Sequence, residues 1–170
     1  SGAAAAQAVI DIARERFAGS TDHEPRALLE AICLAAHDAI SSLPNGEGPS
    51  AGSTCILFYA NGPEAYWMHV GDARLYHFGD DQLLHRTRDH SLVQVMLDQK
   101  KIGEAEALGH PMQNQIYMRL GGENRPEPAF DCMALEDSAV FMLCTDGFWG
   151  VVEPGEAIQT LKDTSSLDDA

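Results

Sequence analysis

Basic side chains are scarce in this sequence, which has 11 lysines and arginines against 26 aspartates and glutamates in 170 residues. The net charge of −15 disfavours nucleic acid and anionic membrane surfaces as partners, because both are themselves negatively charged. The same charge would repel a phosphate-bearing substrate, so a phosphate site in this chain would need bound cations to reverse the local potential.

Long apolar runs and paired cysteines are also lacking. No run approaches the roughly 20 residues of a membrane-spanning helix, and the first residues do not have the pattern of a signal peptide. The four cysteines are scattered and form no C-x-x-C pair, which argues against zinc and favours reduced thiols in a cytoplasmic protein. With hydrophobic residues at 45%, residues 1–170 are expected to form one globular domain.

The spacing of apolar residues predicts an α+β protein. Apolar residues at helical spacing predict helices over 3–17 and 25–40, with Val9 and Ile10 on the buried face of the first. Period-two alternation between short turns predicts an antiparallel meander of strands over 54–59, 65–70, 74–78 and 82–85.

The second half of the chain has a similar mixture of predicted elements. Strands are expected over 115–120, 130–135 and 139–144. Helices are expected from about Ser91 to Leu97, over 104–108 and over 154–161, the last with proline in its first turn.

The apolar run over residues 139–144 is followed closely by Asp146 and Gly147. An unbroken apolar run of this length is typical of a strand buried on both faces. Asp146 is then expected to be partly desolvated at the rim of the strand, where it needs a cation, a hydrogen-bond donor or a proton. The alternative is an aspartate that caps the following turn or helix.

A second carboxylate, Asp72, lies in the very short connection between two predicted strands. A Gly-Asp turn by itself predicts no function. Two carboxylates at the ends of apolar strands, however, suit a hard, oxygen-preferring cation such as magnesium or manganese. The sequence does not determine whether the two carboxylates lie at the same end of the sheet.

Other candidates for chemistry are weaker. His69, His77 and His85 recur at equal spacing and are expected to be partly exposed on strands and not to bind metal. Cys144 lies inside an apolar strand, so the pKa of its thiol is expected to be raised and its sulfur to be inert. Trp149 is expected to lie in the core.

Five short motifs, in order along the chain, resemble those of the metal-dependent serine/threonine phosphatases of the 2C type. They are Ser53-Thr54, Val70-Gly71-Asp72-Ala73-Arg74, Thr87-Arg88-Asp89-His90-Ser91, Leu120-Gly121 and Leu143-Cys144-Thr145-Asp146-Gly147. Each motif is weak alone, but the ordered set over residues 52–152 is specific and looks like the bacterial branch. The resemblance implies an antiparallel β-sandwich flanked by helices.

The resemblance also implies metal-binding roles for two residues. Asp146 matches the family's Asp-Gly ligand of a binuclear metal centre, and Asp72 matches a carboxylate associated with a further, more weakly held metal. The implied cofactor is Mn²⁺ or Mg²⁺, with two or three ions in a complete domain. Residues 100–115 match a mobile flap beside the site, and Asp89 matches a position expected to be structural.

Several family motifs have no match in this sequence. These are the basic phosphate-binding residue, the Asp-Gly-x-Gly-Gly turn and the C-terminal Asp-Asn ligand, which would lie beyond Ala170. The domain is therefore expected to be incomplete at both ends, and no catalytic residue is assigned. Missing outer strands would leave strand edges exposed, which predicts dimerisation through those edges.

The function implied by the resemblance is metal-dependent hydrolysis of phosphoserine or phosphothreonine, in a signalling role. The substrate would be a phosphoprotein, either a kinase target or the cognate kinase. Because few of the usual ligands are present, this chain alone is expected to have weak or no activity. The alternatives are a non-catalytic module that binds a phosphoprotein or regulates a partner, and an unrelated α+β domain with two turn aspartates.

Overall fold

The computed structural model describes residues 2–18, 24–44, 50–107, 109–136 and 139–163. The chain forms helices α1 (Gly2–Ala18) and α2 (Pro25–Ser41), strands β1 (Cys55–Asn61), β2 (Glu64–Val70), β3 (Arg74–Gly79) and β4 (Gln82–Arg86), helices α3 (Leu92–Asp98) and α4 (Glu104–Ala107), strands β5 (Ala129–Ala134) and β6 (Val140–Cys144), and helices α5 (Asp146–Trp149) and α6 (Pro154–Asp163). Among these helices, none is both long enough and apolar enough to cross a membrane. The last residue of the predicted helix 104–108 lies outside the described residues.

The strands form two antiparallel sheets of three strands each, in the orders β1-β2-β5 and β4-β3-β6. The ring of Phe141 on β6 lies 4.8 Å from that of Phe58 on β1 and 6.5 Å from that of Trp67 on β2, so the two sheets face each other. The predicted α+β class with antiparallel sheets is confirmed. One feature of the predicted meander is wrong, because β2 and β3 are consecutive in the chain but lie in different sheets.

Helices α1 and α2 pack against the first sheet and form the main apolar core with it. The core joins residues of both helices to residues of β1 and β2, among them Val9, Leu29, Ile32, Ala36, Leu57, Met68 and Val70. Burying one such aliphatic side chain stabilises the fold by about 1.5 to 3 kcal/mol. Ile10 is 45% exposed, contrary to expectation, and Ile12 packs against the core instead, because positions 5, 9 and 12 share the buried helical face.

Two of the predicted strands differ from the observed structure. Residues 115–120 make only isolated bridges, Ser53 with Leu120 and Ser91 with Ile116, because the two ends of the segment pair with different parts of the chain. Strand β6 is an edge strand, with Val140 36% and Leu143 41% exposed, so the expected burial on both faces is wrong. Dimerisation through an exposed strand edge stays a prediction.

Candidate metal centre

Asp72 and Asp146 lie at the same end of the second sheet. Strand β3 runs antiparallel to β6 with Arg74 opposite Cys144, and the two aspartates are each two residues beyond this last pair. The pKa of Asp72 is raised, first by burial of the carboxyl and then by the negative charge of Asp146. A cation held between the two carboxylates would remove this repulsion.

The two carboxylates differ in exposure. Asp72 is only 7% exposed, whereas Asp146 is exposed. The expected desolvation of Asp146 is therefore wrong, because β6 is an edge strand and the chain enters solvent where that strand ends. Thr145 is the N-cap of α5 and Asp146 is the first helical residue, so the structure does not support the capping alternative for Asp146 either.

The turn that carries Asp72 is fixed by His90. The backbone N–H of His90 donates to the carbonyl oxygen of Gly71 at 2.8 Å, and the N–H of Gly71 donates to His90 Nδ1 at 3.2 Å. The second bond requires Nδ1 to be unprotonated. Burial is the main cause that lowers the pKa of His90 to about 4, and the neighbouring His69 contributes. The neutral imidazole of His90 therefore binds the N–H of Gly71, and the backbone N–H of His90 binds its carbonyl oxygen. These two bonds fix the turn that carries Asp72.

Replacing Gly71 with alanine is expected to lower the free energy of unfolding by about 2 to 3 kcal/mol. Gly71 has a φ of +93°, and a Cβ there would lie 2.4 Å from the methyl carbon of Thr54. Urea denaturation would measure the loss. The matched control is Gly62→Ala, where φ is +60° but no described atom lies within 4 Å of the Cβ position, so only the backbone cost of about 1 kcal/mol remains. Equal losses in the two variants would contradict the steric argument.

A buried ion pair lies beside the Asp72 turn. Arg74 donates to both oxygens of Asp89, from Nε at 2.9 Å and from Nη2 at 2.6 Å, and its Nη1 donates to the hydroxyl of Tyr76 at 3.1 Å. The guanidinium carbon of Arg74 lies 3.6 Å from the centre of the Trp149 ring. Asp89 therefore holds the Arg74 side chain through a buried ion pair, which agrees with the structural role expected for it.

The role of Trp149 was missed by sequence reasoning. Its ring is half-buried, and its Nε1–H donates to the backbone oxygen of Asp72 at 2.9 Å. The expectation that Trp149 is a core residue is wrong, because the ring packs on Arg74 at the rim of the second sheet. The partner of this hydrogen bond is 77 residues away in the chain, so no local signal could have indicated it.

The strand histidines and Cys144 differ in how well they match the expectations from the sequence. His69 and His77 are buried, so the expectation of partial exposure is wrong for both, and burial lowers the pKa of each. The predicted inertness of the Cys144 thiol is supported, because burial raises its pKa. In the described part of the chain, no group of three or more His, Cys, Asp or Glu side chains is arranged to hold a metal ion.

The carboxylates of Asp72 and Asp146 nevertheless suit a divalent cation that prefers oxygen ligands. Magnesium, for example, commonly uses one or two protein carboxylates and completes its shell with waters and substrate phosphates. Asp72 and Asp146 supply two carboxylates and no sulfur or imidazole. Manganese has a similar preference for oxygen, whereas a structural zinc ion would need a closed set of four ligands.

Part of the segment expected to form a flap lies near Trp149. A small cavity of about 130 Å³ has Arg74, Trp149, Glu104, Gly109 and Gln113 among its lining residues. Glu104, Gly109 and Gln113 therefore share a cavity with the Trp149 ring that bonds to Asp72, whereas a flap role for this segment stays a prediction.

Several bacterial protein phosphatases are similar to this chain in sequence. No protein-family model matches the chain. The serine/threonine protein phosphatase PstP of Mycobacterium tuberculosis is 29% identical over 169 residues, which cover 95% of this chain and 32% of that protein. A putative 2C-type protein phosphatase of Streptococcus pyogenes is 34% identical over 107 residues, which cover 62% of this chain and 43% of that protein. The chain thus spans about a third to a half of the curated relatives it matches.

Solved structures show the same likeness. The crystal structure of Mycobacterium tuberculosis PstP/Ppp has a TM-score of 0.86 to this chain at 26% identity, with 98% of this chain and 72% of that chain covered. The catalytic domain of PstP, solved in complex with two manganese ions, has a TM-score of 0.82 at 25% identity, with 98% and 70% covered. The expected fold, a β-sandwich flanked by helices, is confirmed.

Proposed function

Because this chain is a relative of the bacterial 2C-type serine/threonine phosphatases and shares their fold, we propose that it serves metal-dependent hydrolysis of phosphoserine and phosphothreonine in proteins. The relatives named above are protein phosphatases, and one of them was solved with two manganese ions. The observation in this chain that carries the proposal is that Asp72 and Asp146 lie close together at one end of the second sheet, where β3 begins and β6 stops.

Asp72 and Asp146 would hold Mn²⁺ or Mg²⁺ through their carboxylate oxygens. Such ions supply Lewis acidity at a phosphoryl oxygen and activate water for attack on phosphorus. Asp72 is positioned before any cation binds, because its turn is held by His90 and its carbonyl oxygen by Trp149. Cys144, the thiol nearest in sequence, has a raised pKa and is not suited to act as a covalent nucleophile.

This chain alone is proposed to bind the cation weakly and to hydrolyse phosphoesters slowly or not at all. Two carboxylates carry a charge of −2, which balances only half of the +4 charge of a binuclear divalent centre, and affinity falls with each ligand lost. The lack of a larger ligating group among the described residues favours a second candidate, a non-catalytic module that binds a phosphoprotein. The phosphoprotein would be a kinase target or the cognate kinase, in a signalling role in the cytoplasm.

A phosphate-release assay with a phosphothreonine peptide and Mn²⁺ would separate the two candidates. Slow release of phosphate above a metal-free control would support the enzyme candidate. Asp146→Asn should then abolish this release, because the variant loses a metal ligand. The control is Asp131→Asn, an exposed aspartate on β5, which is expected to leave release unchanged.

Peptide binding without any release, measured by fluorescence anisotropy, would support the binding module. Failure of both release and binding would contradict both candidates and favour an unrelated role for the fold.

A further inference from the structure

A single side chain links the two segments that carry Asp72 and Asp146. Trp149 is the last residue of α5, the short helix that begins at Asp146. Its Nε1–H donates to the backbone oxygen of Asp72 at 2.9 Å. The indole therefore ties the turn before β3 to the helix after β6, at the place where the paired strands have ended.

The Trp149 ring is itself held in place. Arg74 stacks on its face with the guanidinium carbon 3.6 Å from the ring centre, and Asp89 fixes Arg74 through two hydrogen bonds. The side chain of Arg74 is only 14% exposed, and that of Asp89 is 6% exposed. A ring held on one face by a buried ion pair has few alternative positions, so its N–H points at Asp72 before any ligand arrives.

This bond acts against an electrostatic repulsion. Asp72 and Asp146 are both carboxylates, and the pairing of β3 with β6 places them at the same end of the sheet, so their negative charges repel each other. Without a cation between them, the repulsion favours separation of the two segments, and Asp146 is on a helix of only four residues. The hydrogen bond from Trp149 opposes that separation.

We infer that Trp149 is a positioning residue that sets the separation of the Asp72 and Asp146 carboxylates for a divalent cation. That a cation binds here depends on the function proposed above, whereas the role of Trp149 in holding the two segments together does not. A preset separation lowers the free-energy cost of assembling the site, because neither segment has to move when the cation binds.

The first test is Mn²⁺ affinity, measured by isothermal titration calorimetry on Trp149→Phe. Phenylalanine keeps an aromatic face for Arg74 and removes the N–H donor. The dissociation constant is expected to rise about tenfold, the lower end of the usual cost of losing an outer-shell partner. The matched control is Trp67→Phe, the other tryptophan, which contacts His85 and Phe141 and is expected to leave Mn²⁺ affinity unchanged.

The second test needs no metal. At pH 8, Asp146→Asn is expected to raise the midpoint of thermal unfolding by about 2 °C, because it removes the repulsion with Asp72. In the Trp149→Phe background the increase should fall to less than half, because the two segments have already moved apart. Equal increases in the two backgrounds would overturn the inference.

The remaining outcomes distinguish this inference from the proposed function. If Asp72→Asn removes Mn²⁺ binding while Trp149→Phe binds like the unaltered chain, the positioning role is wrong and the metal site stands. If neither Asp72→Asn nor Asp146→Asn changes Mn²⁺ binding, the metal site is wrong, and the role of Trp149 in cation binding is overturned with it.

Discussion

Replacing Asp89 with asparagine is expected to lower the free energy of unfolding by about 3 to 5 kcal/mol, the usual cost of breaking a buried ion pair from one side. Arg74 would keep its charge, with its side chain only 14% exposed and its two strongest hydrogen bonds weakened. For a chain of this size the midpoint of thermal unfolding should fall by about 10 °C. Differential scanning calorimetry and urea denaturation would measure both quantities.

The chain supplies a matched control for this prediction. Asp98 pairs with Arg88, whose side chain is 69% exposed, so this second ion pair is in contact with solvent. Asp98→Asn is expected to cost at most about 1 kcal/mol, because exposed pairs contribute little. Similar losses for the two variants would show that burial of the Arg74 pair does not matter. A small loss for Asp89→Asn would contradict the central place given to this pair.

Lowering the pH from 7 to 5 is expected to destabilise the metal-free chain by about 2 kcal/mol through His90 alone. The pKa of His90 is lowered from 6.5 to about 4 in the folded chain, mainly by burial and also by His69. The unfolded chain therefore binds more protons than the folded chain between these values. The stabilisation is complete above pH 6.5 and is lost as the pH falls toward 4. His69 and His77, whose pKa values are also lowered, act in the same direction.

One nearby group acts in the opposite direction. The pKa of Asp72 is raised in the folded chain, so Asp72 takes up a proton more readily when folded, which offsets part of the loss. Urea denaturation at pH 7, 6 and 5 would measure the sum. In His90→Asn the side-chain oxygen can still accept from the Gly71 N–H, but the titrating ring is gone. This variant should lose at least half of the pH dependence, and an unaltered profile would contradict the assignment to His90.

Local signals in the sequence predicted most of the secondary structure. The strands predicted over 54–59 and 65–70 form the β1–β2 hairpin, and Gly62 in its turn has the positive φ of +60° that such a turn needs. Strands β3 and β5 and helices α2 and α6 also lie close to the predicted ranges. Such signals work because hydrogen bonds within a helix and tight turns depend on neighbouring residues.

Burial was predicted less well than secondary structure. The apolar run over residues 139–144 looked like a strand buried on both faces, yet β6 is at a sheet edge. His69 and His77 were expected to be partly exposed on strands, yet both are buried. An apolar or polar pattern shows which environment suits a segment, but what lies against the segment depends on residues far away in the chain.

The amino-acid sequence by itself determined most of the helices and strands, the strong negative charge and the place of Asp72 and Asp146 next to strand ends, because these depend on composition and on contacts between near neighbours. Only the tertiary structure decided that the two carboxylates lie at the same end of one sheet, since the register of β3 against β6 joins segments more than 60 residues apart. It also decided that Trp149 bonds to Asp72 and that Arg74 pairs with Asp89, because such contacts follow from the packing of the whole chain.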